Sequence, residues 1–108
     1  MSRGDIWTAT GGLYASKPRP VLIVQDDRFD STASVTVCPL TTQQIEAPLI
    51  RIDVAPTVST GIERPSQIMI DKVTTMPRVN VRDQLGRLAD DDLVRLDRAL
   101  VVFLGLAD

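Results

Sequence analysis

A chain of 108 residues, 44% hydrophobic and 24% charged, has the length of one domain and can bury roughly two-thirds of its unfolded surface without staples. Its composition excludes a disordered or collagen-like chain, and its net charge of −2 removes overall positive charge as a route to nucleic acid. A single cysteine, Cys38, and no histidine exclude an internal disulfide, His-based triads and the ordinary zinc sites.

In chain order, "DIWTA" at 5–9 reads as a first strand. "TGGLYASKPRP" follows as a long loop, broken by Gly11 and Gly12 and stiffened by Pro18 and Pro20. A second strand over 20–26 carries the apolar run Val21-Leu22-Ile23-Val24. "DDRFDST" reads as a turn or one short helical turn. "SVTVCPL" at 34–40 is a third strand, with Pro39 expected to force a bulge or the strand's end; Cys38 reads there as a small core hydrophobe. "LIRIDV" at 49–54 sets Leu49, Arg51 and Asp53 against Ile50, Ile52 and Val54, the alternation of a half-buried strand. "APTVSTGIERP" is a loop by its Pro and Gly content.

"SQIMIDKVTTM" at 66–76 reads as one strand, with Ile68 and Ile70 on one side and Gln67, Met69 and Asp71 in a row on the other. "RDQLGRL" adds a short strand ending near Gly86. The period then changes. Leu93, Leu96, Leu100 and Phe103 share one helical face, Asp90, Asp91 and Asp92 favour its first turn, and Gly105 stands where a C′ glycine ends a helix. Packing on the sheet is one use of that face; a part in a dimer is another. The expected architecture is mainly β: a barrel-like sheet of five to six antiparallel strands closed by one C-terminal α-helix, in a single domain over 1–108. "MSRGDIW" has no apolar stretch of a signal peptide, and no apolar run reaches the length of a membrane span. A cytoplasmic protein without membrane contact is expected.

The reactive inventory is short. Lys17, Arg19 and Arg28 are close in sequence and could form a local basic patch. Pro18 and Pro20 fix their own φ and push Lys17 and Arg19 towards extended geometry, so Arg19 is presented from a stiff backbone. A guanidinium held this way can grip a phosphate at two points. Thr41 and Thr42 follow a strand, as turn residues or as hydroxyls for a phosphate oxygen. Asp71 is a carboxylate where strand propensity disfavours one. It suits a salt bridge to Lys72 or to a cross-strand arginine, or a proton-accepting role.

Taken together, "RGDIW", "RPVLIVQDDRFD", "VCPLTT", "PSQIMIDKVTTM" and "DLVRLDRALVVFLGL", in this order over nearly the whole chain, resemble the MazF/PemK toxins of toxin–antitoxin pairs. The resemblance implies a small SH3-like β-barrel with a C-terminal helix, usually a homodimer. It implies a sequence-specific, metal-independent endoribonuclease without cofactor, acting on single-stranded RNA and blocked by a cognate antitoxin. It assigns Arg19 to the scissile phosphate as acid or transition-state clamp, Thr41 to holding that phosphate, and Asp71 to acting as base or positioning the 2′-hydroxyl. Products would be a 2′,3′-cyclic phosphate and a 5′-hydroxyl. Tyr14, Lys17, Thr42, Ser66, Gln67 and Lys72 are the candidate RNA contacts. The chain departs from the family at Tyr14, where many members carry a glutamate, and at Met69, where one branch has an arginine. Two further readings stay open: a gyrase poison of the related CcdB type, and an inactive member serving as a binding module.

Overall fold

A computed structural model describes residues 1–11 and 17–107. Seven strands precede one helix: β1 (Asp5–Ala9), β2 (Arg19–Ile23), β3 (Ser34–Thr41), β4 (Arg51–Val54), β5 (Ser66–Met69), β6 (Thr74–Pro77), β7 (Val81–Arg87) and α1 (Asp90–Phe103). The sheet order is β4-β5-β3-β2-β1-β7, with β6 beside β3, and every pairing is antiparallel. The mainly β class with a C-terminal helix is therefore correct. The count exceeds the expected five to six by one or more, and the sheet is not a closed barrel. Its two ends, β4 and β7, are joined instead by the loop after β4, where the Arg87 amide donates to the Ser59 carbonyl at 2.8 Å.

The extra strand arises from one wrong reading. The 66–76 segment is not continuous: residues Ile70–Lys72 form a 3-10 turn, splitting it into β5 and β6. Gln67, Met69 and Asp71 therefore do not form a row on one strand. Both pieces still run along β3, β5 against Leu40–Thr41 and β6 against Ser34–Val37. The break leaves a gap in the ladder beside Cys38 and Pro39. Ile70 stays buried with Ile68, so the apolar alternation that suggested a single strand is preserved across the turn.

That gap also explains Pro39, which neither ends β3 nor begins a bulge in its register with β2. The Val24 amide donates to the Thr36 carbonyl at 3.2 Å, making Val24 and Thr36 a hydrogen-bonded pair. Hydrogen-bonded and non-bonded pairs alternate along an antiparallel ladder, so Val21 and Pro39, which face one another, are a non-bonded pair. The nitrogen of Pro39 points away from β2, into the gap between β6 and β5, where no donor is required. The second strand is shorter than expected, ending at Ile23, and "DRF" at Asp27–Phe29 is the anticipated helical turn.

Two clusters form the core, one on each side of the sheet. Ile6, Leu22, Cys38, Leu40, Ile52, Val54 and Ile68 meet Leu96 of α1, while Ala9, Val21, Ile23, Val35, Val37 and Val81 pack on the other side. This is the period-2 alternation of the strands made physical. On α1, Leu96 is buried and Leu93 and Leu100 pack partly against the first cluster, whereas Phe103 is exposed. The helix ends as expected at Gly105, with φ +73°. Its amide donates to the Val102 carbonyl and the Leu106 amide to the Val101 carbonyl, the paired bonds of a Schellman motif. No helix among the described residues is long and apolar enough to cross a membrane.

Cys38 is fully buried, and burial pushes its thiol up to about 12. Since the thiolate is the reactive species, a thiol reagent should modify this protein only after denaturation, with one equivalent per chain. Native-state labelling at the rate of a free thiol would contradict this placement.

Candidate active site

The register lines up a row of residues across six strands. Val81 faces Ala9, Ala9 faces Arg19, Thr41 faces Gln67, and Gln67 faces Asp53. The β2–β3 register, continued from Val21 opposite Pro39, closes the row by setting Arg19 opposite Thr41. That pair inherits the non-hydrogen-bonded geometry of Val21 and Pro39, in which facing Cα atoms are about 4.5 Å apart and side chains are closest. Ala9, on the other flank of Arg19, has no bulk to crowd it. Within this row Ala9, Gln67 and Val81 are buried, while Arg19 is exposed and Thr41 half-buried. Arg19 and Thr41 are thus the adjacent polar pair at the open centre of the row. The Thr41 Oγ1 accepts from the Gln43 amide at 3.1 Å, which leaves the hydroxyl proton free to donate outward.

At the same strand ends, but on the face of the sheet opposite the row by strand alternation, a groove of about 320 Å³ is lined by Thr8, Lys17, Thr42, Glu63, Arg64 and Ser66, among others. The structure therefore brings together Lys17, Thr42 and Ser66 of the expected contacts. Ser66 is buried, however, and its hydroxyl donates to the Arg64 carbonyl at 2.9 Å, so the hydroxyl proton is spent on holding Arg64. Arg64 and Glu63 are lining residues that sequence reasoning missed. A signal was present: "ERPS" repeats the Arg-Pro pair of "PRPV". Arg28 does not join this patch. It follows the far end of β2 and is bound to Asp26 at 3.1 Å, about 15 Å from Arg19 at strand rise. That short contact, together with the Arg28 amide, lowers the Asp26 carboxyl below its usual range. Tyr14 lies outside the described residues.

Asp71 and Lys72 are elsewhere. The 3-10 turn that carries them sits beside the gap in β3, level with Cys38, about 10 Å down the strand from Thr41. Asp71 is ion-paired with Arg51, whose side chain is 9% exposed. This is the cross-strand arginine alternative, with Arg51 opposite Met69 in the register; Lys72 is exposed and is not the partner. Among the described residues Arg51 Nε has no hydrogen-bond partner, so Asp71 is the main compensation for a buried cation. Removing it as Asp71→Ala should destabilise the fold by about 2–4 kcal/mol, below the full cost of breaking a buried pair because Asp71 is itself partly exposed. Chemical denaturation checks this; an unchanged midpoint would show the pair to be dispensable.

Gln67 is buried at 6% exposure. Its Nε2 donates to the Ile45 carbonyl at 3.1 Å and to Asp53 Oδ1 at 3.0 Å, and its Oε1 accepts from the Ile45 amide at 3.2 Å. It binds the 42–48 segment instead of solvent. Among the described residues no group of three or more His, Cys, Asp or Glu could hold a metal ion.

Comparison with known proteins converges on one family. The family model described as PemK-like, MazF-like toxin of type II toxin–antitoxin system matches residues 2–104. The chain is 61% identical over 108 residues to the "Probable endoribonuclease MazF" of Mycolicibacterium smegmatis, covering 99% of each chain. It is 30% identical over 116 residues to Endoribonuclease EndoA of Bacillus subtilis, covering 100% of this chain and 97% of that one. Among solved structures, the Mycobacterium tuberculosis toxin MazF-mt6 superposes with a TM-score of 0.82 at 27% identity, covering 96% of this chain and 99% of that one. A mycobacterial endoribonuclease in complex with its cognate antitoxin shares the fold with a TM-score of 0.83 at 24% identity, covering 100% and 98%. This chain belongs to the PemK-like, MazF-like toxins of type II toxin–antitoxin systems.

Proposed function

We propose that the protein is a sequence-specific, metal-independent endoribonuclease that cleaves single-stranded RNA, with Arg19 and Thr41 at the scissile phosphate. What supports this reading is the β2–β3 register, which, continued from Val21 opposite Pro39, sets Arg19 opposite Thr41 at the open end of adjacent strands. The RNA 2′-hydroxyl gives its proton to solvent water and its oxygen attacks the adjacent phosphorus, the bond to the 5′-oxygen breaks, and that oxygen takes a proton from water, leaving a 2′,3′-cyclic phosphate and a 5′-hydroxyl. The Arg19 fork stabilises charge growing on the non-bridging oxygens. The outward hydroxyl of Thr41 donates to one of them. Lys17 and Arg64 hold flanking phosphates, and Thr42 borders the same groove. Asp71, which the resemblance assigns to the 2′-hydroxyl, is engaged by Arg51 and lies about 10 Å down β3 from Thr41.

The test is incubation of purified protein with a long single-stranded RNA in EDTA, followed by mapping of the 5′ ends. Discrete cuts bearing 5′-hydroxyls are expected. Uncut RNA would refute the ribonuclease reading; trapped gyrase–DNA complexes would then point to a gyrase poison, and their absence to an inactive binding module.

We further infer a cytoplasmic homodimer held by a cognate antitoxin. Leu49 beside β4 and Val102 on α1 are exposed apolar side chains that line a common hollow with Ile52 and Ala99. A second copy covering this hollow removes that surface from water. A monomer in gel filtration at micromolar concentration would refute the dimer. The antitoxin segment would compete with RNA phosphate for Arg19, so its affinity should fall in Arg19→Ala.

A further inference from the structure

We infer that Gln67 is a positioning residue that straps the 42–48 segment against the sheet and thereby sets which bases are accepted beside the cut. The inference rests on the ribonuclease reading above.

The segment from Thr42 to Pro48 has no regular structure, and Thr42 to Glu46 are all exposed. Such a stretch holds one conformation only if its backbone groups find fixed partners. Gln67 supplies them at Ile45, pairing with both its amide and its carbonyl as a neighbouring strand would. Only one flip of the side-chain amide binds this way, since the reverse would set its oxygen against the Ile45 carbonyl and its amino group against the Ile45 amide. Asp53 reinforces that flip, because its carboxylate accepts the second proton of the Gln67 amino group. The Gln43 amide donates to Thr41 Oγ1, which links the segment directly to the residue assigned to the phosphate; Gln44 Nε2 donates to the Pro65 carbonyl at 3.4 Å, and the Arg51 amide donates to the Ala47 carbonyl at 2.9 Å.

The placement gives the strap its effect. Gln67 is one strand from Thr41 and Asp53 is two, about 5 and 10 Å at sheet spacing. Between them and the segment lies a cleft of about 400 Å³, lined by Gln44, Ile45, Glu46, Arg51, Asp53 and Arg95, among others. Its position is beside the phosphate-holding pair, where a flanking nucleotide would lie. Its wall is the strapped segment, with amide and carboxylate groups that can bond base edges. A wall that moves changes which base fits there.

The experiment compares relative cutting at many sites within one long RNA, a ratio that does not depend on how much of the enzyme is active. Hydrogen exchange at the Ile45 amide reports the strap. Gln67→Leu should speed that exchange and change the ratios between sites by about fivefold or more. Gln67→Glu should do the same, because a carboxylate cannot donate to the Ile45 carbonyl and faces Asp53. Adding Asp53→Asn to Gln67→Glu relieves the repulsion at position 53 but leaves the Ile45 carbonyl without its donor, so the ratios should recover only in part. If Gln67→Leu fails to fold, Asp53→Ala, which removes the carboxylate that holds the Gln67 amino group, should still speed Ile45 exchange and shift the ratios. Site ratios unchanged in folded variants whose Ile45 amide has lost protection would overturn the inference while leaving the ribonuclease reading intact. A wild-type protein that cuts no RNA would overturn both.

Discussion

Arg19→Ala is expected to lower RNA cleavage by about 10²–10³-fold, the usual effect of removing one preorganised donor to a developing oxyanion. Arg19 is exposed at the first position of β2, so its truncation opens no cavity, and folding stability should stay within about 0.5 kcal/mol of wild type. Arg19→Lys keeps the charge but loses the planar fork; it should recover binding to RNA better than it recovers turnover. Single-turnover cleavage of a fixed RNA in EDTA, with denaturant curves on the same samples, makes the measurement. An alanine variant that cuts at the wild-type rate would remove Arg19 from the mechanism. It would also undercut the assignment of Thr41, which depends on the same juxtaposition.

The largest stability effect is expected at Gly61. Its φ is +70°, and a Cβ built there would lie 1.9 Å from the Leu85 carbonyl oxygen and 2.6 Å from its carbon. Neither contact is with a flexible side chain, so accommodation requires the loop after β4 to part from β7. That loop joins the two ends of the open sheet, through the Arg87 amide and the Ser59 carbonyl. Gly61→Ala should therefore cost about 3–5 kcal/mol, combining left-handed backbone strain with overpacking. Hydrogen exchange at Arg87 should lose protection with it. Gly105→Ala is the matched control: φ is +73°, yet nothing lies within 4 Å of the built Cβ, so about 1–2 kcal/mol of backbone strain is the whole expected loss. Equal effects at the two glycines would show that close approach at Gly61 is unimportant.

Much of this protein is legible from local pattern. Alternation in "LIRIDV" and the three-four-three spacing from Leu93 to Phe103 report one residue's neighbours along its own chain, and both elements form, the strand without Leu49 and Ile50, which lie in a turn. The stiff Arg-Pro entry to β2 is likewise local, since proline acts on itself and the residue before it. Side-chain function is less legible. Gln67 looks like a solvent-facing strand residue, and only the return of the 42–48 segment over β5 shows that its amide is buried against Ile45. Glu63 and Arg64 become candidates only when the loop after β4 is placed beside Lys17.

By itself the sequence determined the mainly β class, the terminal helix with its glycine stop, the rigid presentation of Arg19 and, through motif order, the family. These depend on residue type and spacing, which covalent geometry and short-range sterics translate directly into backbone preference. Tertiary structure alone decided that the 66–76 segment breaks into two strands, that Pro39 runs through β3 and that the sheet stays open. It also decided that Asp71 belongs to Arg51 and that Gln67 is turned onto the 42–48 segment. Each of these is set by register between strands distant in sequence, and a one-residue change in register would turn every side chain to the other face.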